Sequence, residues 1–333
     1  MLNQKKVLKI GITSGDPAGI GPEIIAKALN DLPDTSFVPV VIGSADFYRH
    51  YHNKFFRRFT LLSLHDKTDT PTDEFFVDVP LESPMPEPGK GTPATGRESL
   101  RYIDAGLDLW EQGAIDALVT GPVSKGLIER SGTHFTGHTE YLAARTGGDP
   151  FMMMFSEDYR VILATTHLPL SQVSSSVNRE RILQVITAGN ESIKAIDGAP
   201  VRLAVAGLDP HCGDDGAIGT FDRDVTAKAI EDARRAGIDV EGPFAADTLF
   251  MADRWKEHNL VIAQYHDQGL IPFKLLAFDR GVNVTLGLPL VRTSVDHGTA
   301  FNIAGKDRAG YSSMIEAIAV ACRLVQGRRT AGL

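Results

Sequence analysis

The chain has 333 residues, 43% hydrophobic and 23% charged, an ordinary globular composition long enough for about two domains. A formal net charge of −8 offers no basic surface to a polyanion, which argues against nucleic-acid binding, and two cysteines, Cys212 and Cys322, are too few for a disulfide framework. No run approaches the ~18 apolar residues of a membrane span, and MLNQKKVLKIGIT lacks the apolar core and cleavage site of a secretory signal, so the expectation is a cytoplasmic protein with no membrane or nucleic-acid partner.

In chain order, KVLKIGIT (6–13) reads as a buried strand and PEIIAKAL (22–29) as a helix, with Pro22 suited to its first turn. Between them, SGDPAGIGPEI (14–24) sits where a Rossmann phosphate loop would. Gly19-Ile20-Gly21 supplies G-x-G, but Ile24 stands where the third glycine belongs, and no acidic residue ends a second strand about 20 residues on. Glu23 would also repel a pyrophosphate there. The segment is read as a tight turn opening a helix. VPVVIG (38–43) is the next strand. SPMPEPGKGTPATG (83–96), with four prolines and three glycines, reads as a loop. SLRYIDAGLDLWEQG (99–113) then has helical spacing and IDALVTG (115–121) is strand-like, with a domain boundary expected near 130. MMMFSEDYRVILATT (152–166) reads as a hairpin around SEDY. VRLAVAGL (201–208) and LVIAQY (260–265) are buried strands, and VNVTLGLPLVRTS (282–294) is a long strand-rich run. FDRDVTAKAIEDARRAG (221–237) and SSMIEAIAVACRLVQG (312–327) are helical. Such alternation predicts an α/β protein with largely parallel sheets.

Three of these strands run off into histidine. ILATTHLPL ends on His167, LAVAGLDPHCGDDG on His211 and LVIAQYHDQG on His266. The carboxyl ends of parallel strands are where ligands bind, because the loops there are accessible and held by a rigid sheet. One such histidine is usually an ordinary loop residue. Three in the same topological slot point to a catalytic metal site, in which three neutral imidazoles leave a position open. Nitrogen ligation suits zinc or another borderline divalent ion, and Asp209 and Asp267 are placed in sequence to orient the rings.

SGDPAGIGPEI, TGPVSKG, FTGHTEY, ATTHLPL, GLDPHCGDDG, ADTLF, YHDQG and VTLGLPLVRTSVDHGTAFNIAG, in this order and spread over nearly the whole chain, resemble the 4-hydroxythreonine-4-phosphate dehydrogenase (PdxA) family. The resemblance implies an isocitrate/isopropylmalate-dehydrogenase-like fold of two α/β domains. The first takes residues 1–130 plus 300–333; the second, 131–299, carries most of the metal and substrate motifs. The active site is implied to lie in the cleft and at the interface of a homodimer. By motif, His167, His211 and His266 would hold one divalent ion (zinc, magnesium or cobalt), with His167 reaching across from the other subunit. His138, Thr139, Lys274, Asn283 and Arg292 would contact substrate. The cofactor would be NAD or NADP, bound by residues the motifs do not identify. The implied reaction oxidises the C3 hydroxyl of 4-phosphooxy-L-threonine by hydride transfer. The β-keto acid then loses CO2, giving 3-amino-2-oxopropyl phosphate on the route to pyridoxal phosphate. Lys274 and Asp267 are the candidate catalytic groups, Lys274 as a proton relay.

Elementary chemistry gives the same residues competing uses. Lys274 and Arg292 would concentrate positive charge for a phosphorylated acid, Arg292 in bidentate fashion, or serve as surface ion-pair partners. Asn283 could be a turn residue, and His138-Thr139 a helix cap. His134 and His297 receive no role. Family members commonly read GLNPHAG where this chain has Asp209 and Cys212, an extra carboxylate and a thiol beside the expected metal. Paralogues with the same histidines oxidise D-threonate or D-erythronate 4-phosphate, or aromatic dihydrodiols; GHTE favours a phosphate-bearing substrate. A metal-dependent hydrolase or lyase, with Asp267 or Asp209 as base, is the alternative of another class, and a non-catalytic binding protein a third.

Overall fold

The computed structural model describes residues 7–32, 37–64, 66, 74–198 and 200–331. Its chain divides into two compact units, Met1–Gly147 with Pro289–Val325, and Gly148–Leu288 with Gln326–Leu333. The sequence reading sets its boundaries at 130/131 and 299/300 instead. The helix His138–Thr146 stays with the first unit because it is tied to the helix Pro93–Glu111: Tyr141 Oη donates to Asp104 Oδ1 at 2.6 Å and Arg145 Nη2 to Asp108 Oδ1 at 2.6 Å.

In chain order the strands are β1 (Leu8–Thr13), β2 (Phe37–Gly43), β3 (Thr60–Leu62), β4 (Phe75–Asp78), β5 (Ala117–Thr120), β6 (Phe151–Phe155), β7 (Arg160–Leu163), β8 (Leu203–Ala206), β9 (Val240–Phe244), β10 (Leu260–Ala263), β11 (Val282–Leu286) and β12 (Val291–Val295). The first unit orders its strands β3-β4-β2-β1-β5-β12, every pair parallel. β2 and β5 are buried throughout, as expected of parallel strands covered on both faces, which is why they read as continuous apolar runs. The 83–96 loop ends earlier than its prolines and glycines suggest. Thr92 accepts from Thr95 N and Thr95 Oγ1 accepts from Thr92 N, a reciprocal cap, so the helix starts at Pro93. Proline is tolerated at a first helical position because its missing N–H has no partner there anyway.

The second unit runs β11-β6-β7-β10-β8-β9. β11/β6 and β6/β7 are antiparallel, the latter being the expected hairpin, and the other pairs are parallel. Met152, Met154, Val161, Leu163, Ala204, Val261, Trp255, Leu270 and Phe273 share its core. The run 282–294 is two strands, broken at Gly287 (φ 76°), with β11 in the second unit and β12 in the first. A helix absent from the sequence reading, His266–Ala277, begins directly at the strand-terminal histidine. Gly269 and Pro272 disguise it. The glycine is required: a Cβ there would stand 2.9 Å from the side chains of Leu163 and Val161 and 3.0 Å from Ala263, so the helix lies close on β7 and β10. No helix among the described residues is long and apolar enough to cross a membrane.

Candidate active site

In the second unit His167, His266 and His211 follow β7, β10 and β8, three neighbouring parallel strands about 4.8 Å apart. Two glutamines, buried Gln264 and half-buried Gln268, tie these strand ends together. Thr165 Oγ1 donates to the Gln264 carbonyl (2.8 Å), Gln264 Nε2 to the Ala206 carbonyl (2.7 Å) and Gln268 Nε2 to the Gly207 carbonyl (2.8 Å), while Gln268 Oε1 accepts from Gln264 N (2.7 Å). Each bond satisfies a backbone group that would otherwise be orphaned where the ladder stops, worth about 1 kcal/mol net. Sequence reasoning passed over both glutamines, although a polar residue closing the apolar LVIAQ was a signal.

The His167 and His266 rings lie 5.8 Å apart, centroid to centroid. His266 Nδ1 is 2.7 Å from Asp267 Oδ1, which holds the ring proton on Nδ1 and turns the Nε2 lone pair outward. Neutral imidazoles offer nitrogen donors of the kind a borderline divalent ion takes. His211 opens a run of left-handed backbone, with φ of 52° (His211), 53° (Cys212), 85° (Gly213), 46° (Asp214) and 52° (Asp215). Such a conformation costs non-glycine residues roughly 1–2 kcal/mol each and persists only where the surroundings over-determine it, a recurrent mark of functional sites. Here the fully buried Asp222 carboxylate accepts from Leu208 N (2.9 Å), Asp209 N (2.9 Å) and Thr226 Oγ1 (2.8 Å). Burial, reinforced by nearby carboxylates, pushes the Cys212 thiol up to about 11, so it is not a thiolate at neutral pH. Among the described residues of this one chain, no three or more His, Cys, Asp or Glu are gathered to hold a metal ion; His167 and His266 are brought together, and His211 does not complete a set with them.

Lys274 rides the His266 helix two turns on, about 12 Å along its axis, with Nζ 5.9 Å from the Phe278 ring centroid. Asn283 is on β11, its Oδ1 buried without a hydrogen-bond partner.

The first unit supplies a second cluster. Arg292 on β12 is 2% exposed, and its Nη2 and Nε donate to Thr120 Oγ1 of β5 at 2.7 and 3.2 Å. Burial lowers the guanidinium to about 9 while the Glu140 carboxylate favours its charge, so it remains a cation at neutral pH. His138 and Thr139 are the first two helical residues after Gly137, and no side chain caps that helix, so the capping alternative is not what is found. His138 Nε2 is buried without a hydrogen-bond partner. Burial first, and the Arg292 charge second, hold this imidazole well below its ordinary value, hence neutral. Thr120 was missed; a threonine closing the apolar strand ALVT was its only trace.

The 14–24 segment is a turn, as expected. Asp16 accepts from Ala18 N (3.0 Å) and Thr95 Oγ1 (3.1 Å), and Gly15 (φ 69°) packs so that a Cβ would meet the Pro122 carbonyl oxygen at 2.4 Å. Burial raises the Asp16 carboxyl to about 6. Because its folded value lies above the ordinary 3.8, this group's cost to stability appears as pH rises between about 4 and 6 and is absent below that range.

Two α/β units with polar side chains gathered at strand ends define an α/β enzyme of the open-sheet kind. Its relatives make this specific. The family model described as pyridoxal phosphate biosynthetic protein PdxA matches residues 35–321. A 4-hydroxythreonine-4-phosphate dehydrogenase of Desulforapulum autotrophicum is 43% identical over 94% of this chain and 94% of its own length. One from Chromobacterium violaceum is 41% identical, covering 96% and 98%. The crystal structure of the Klebsiella pneumoniae 4-hydroxythreonine-4-phosphate dehydrogenase superposes with a TM-score of 0.81 at 36% identity, covering 97% of this chain and 99% of that one. The chain belongs to the PdxA family. It is a dehydrogenase with the isocitrate-dehydrogenase-like α/β fold of that family, and the hydrolase, lyase and non-catalytic alternatives give way to that kinship.

Proposed function

We propose that the chain catalyses the NAD(P)- and divalent-metal-dependent oxidation of 4-phosphooxy-L-threonine at C3, with decarboxylation to 3-amino-2-oxopropyl phosphate for pyridoxal phosphate synthesis. The observation that carries this reading is the placement of His167, His266 and His211 after three neighbouring parallel strands, with Asp267 on His266 Nδ1; the names of the relatives support the substrate. His167, His211 and His266 would hold the ion, with His167 reaching across from the other subunit. When bound, a divalent ion polarises a hydroxyl or carbonyl oxygen. Asp267 acts by fixing the His266 tautomer. Arg292, its guanidinium steadied by Thr120, presents a two-pronged donor to a phosphate or carboxylate. Lys274 adds a second cation; its distance along the helix from His266 suits anion binding better than proton relay at that imidazole. His138, neutral and with Nε2 unpartnered, and Thr139 offer uncharged hydrogen bonds to the phosphate end. Asn283 Oδ1 offers an acceptor to the substrate's ammonium or hydroxyl. The proposed setting is the cytoplasm, in keeping with free Cys212 and Cys322.

A homodimer with shared sites is part of the proposal. Ile271, Leu275 and Phe278 form an exposed apolar stripe at i, i+4, i+7 on the His266 helix and its continuation, Leu275 being 83% exposed, and Leu168 and Leu170 beside His167 are also exposed. A contiguous apolar surface of this kind marks a protein contact, and a partner seated there would bring its own His167 region near. Mixing inactive His167→Ala and His266→Ala subunits should therefore restore activity, because one site of each heterodimer keeps every ligand. Demonstrable subunit exchange with no recovered activity would mean each site is built by one chain.

The substrate is tested with 4-phosphooxy-L-threonine, D-threonate 4-phosphate and D-erythronate 4-phosphate, each with NAD and NADP. The first should give the highest kcat/KM, with one CO2 released per nicotinamide reduced. Faster turnover of a threonate or erythronate phosphate would move the chain to the paralogous dehydrogenases.

A further inference from the structure

We propose that Gln268 and Asp222 are positioning residues: from two separate elements they clamp the backbone at 207–209 and so set where His211 stands relative to His266. The inference rests on the metal reading above, and it gives a share of the affinity for the ion to two side chains that bind backbone rather than metal. β8 and β10 form their last backbone pair at Val205 and Ile262. Beyond it two carboxamides continue the pairing, Gln264 Nε2 to the Ala206 carbonyl and Gln268 Nε2 to the Gly207 carbonyl. Gln268 does this from the helix His266–Ala277, two residues past the histidine that opens it. Its Oε1 accepts from Gln264 N while its Nε2 donates to Gly207, so one side-chain amide spans the ends of both strands. That takes an acceptor and a donor on one group at this reach. An ionised glutamate has no donor, asparagine is a methylene short, and methionine offers neither bond.

Asp222, on the helical segment Asp222–Thr226, takes the next two residues. It is fully buried, and its carboxylate accepts from Leu208 N at Oδ1 (2.9 Å), Asp209 N at Oδ2 (2.9 Å) and Thr226 Oγ1 (2.8 Å). A carboxylate persists in such a place only where donors replace its lost hydration. Two of the three donors here are consecutive backbone N–H groups just ahead of His211. Gly207 N also donates to the Phe244 carbonyl (2.8 Å) and Cys212 N to the Asp209 carbonyl (3.0 Å), so bonds hold this stretch as far as the residue after His211. The left-handed run begins at His211 itself, and such backbone relaxes unless what precedes it is held. Releasing either clamp therefore lets the His211 imidazole sample other positions, while His266 keeps its helix and its Asp267 partner. A ligand that must be reordered on binding weakens the site it serves. A purely mechanical brace would instead lower stability and leave the affinity of the folded molecule unchanged.

The test is titration of the purified full chain with Co2+ alone, followed by its visible absorption against a competing chelator, with a thermal midpoint for each metal-free variant. Gln268→Met, close in size but lacking both bonds, should weaken Co2+ binding by about tenfold or more. Thr226→Val removes one donor to Asp222 at nearly the same shape and should weaken it several-fold. Thr226→Ser keeps the hydroxyl and should restore wild-type affinity. Wild-type affinity in a folded Gln268→Met or in Thr226→Val, or a Thr226→Ser as weak as Thr226→Val, overturns the proposal whatever the thermal midpoints. Where Gln268→Met does not fold, the Thr226 pair decides. If His266→Ala has lost Co2+ while both clamp variants match wild type, the metal reading stands and only the positioning role fails. A wild type that binds no Co2+ removes the metal reading and this inference with it.

Discussion

Replacing His266 with alanine should reduce bound metal to background and lower kcat/KM by about a thousandfold or more. Loss of a partner that merely orients a ligand typically costs 10–100-fold, and a ligand itself counts for more. The fold should hold, because His266 is half-exposed and its helix stays anchored by buried Leu270 and Phe273. Asp267→Asn, which leaves the ring but removes the carboxylate on Nδ1, should fall between, at about 10–100-fold. Metal content by elemental analysis, kcat/KM and a thermal midpoint separate these effects. Wild-type metal content and turnover in His266→Ala would mean the imidazole is not a ligand.

Arg292→Ala should lower kcat/KM by about 100- to 1,000-fold, since losing one partner of a desolvated charge pair costs on the order of 2–5 kcal/mol. It also leaves the Thr120 hydroxyl without its donor in a buried place, so stability should fall as well. Arg292→Lys is the sharper probe. The two-pronged geometry is lost, and burial already draws the arginine down to about 9. A lysine, whose ordinary value is about two units lower than arginine's, would lose its proton nearer neutral pH in the same place. Its residual activity should therefore decline as pH rises through the neutral range, where wild type keeps its charge. Affinity for the dinucleotide should be little changed in either variant. Normal kcat/KM with weakened cofactor binding would move Arg292 from the substrate to the nucleotide.

β1, β2, β5, β8 and β10 were legible because strands buried on both faces are unbroken apolar runs, and the β6/β7 hairpin because SEDY interrupts two of them. β9 was not: its Gly242-Pro243 reads as a turn, yet proline is acceptable on an edge strand. The His266 helix was hidden by the same two residue types, and with it the true distance of Lys274, close in sequence but two turns along a rigid rod. The strand-end histidines stood out by repetition. Thr120, Asp222, Gln264 and Gln268 did not, because each is a single polar residue whose meaning depends on which backbone groups tertiary structure brings to it. The left-handed run at 211–215 carries no sequence mark beyond Gly213, since His, Cys and Asp are common in turns of every kind.

The most direct test follows the absorbance of reduced nicotinamide with 4-phosphooxy-L-threonine and NAD, using the purified protein as loaded with a divalent ion, after chelation, and after the ion is restored. Reduced nicotinamide should form with an equal amount of CO2, cease on chelation and return with the ion. No reduction of NAD or NADP by any of the phosphorylated hydroxy acids, or undiminished reduction after the metal has been removed completely, would contradict a metal-dependent dehydrogenase.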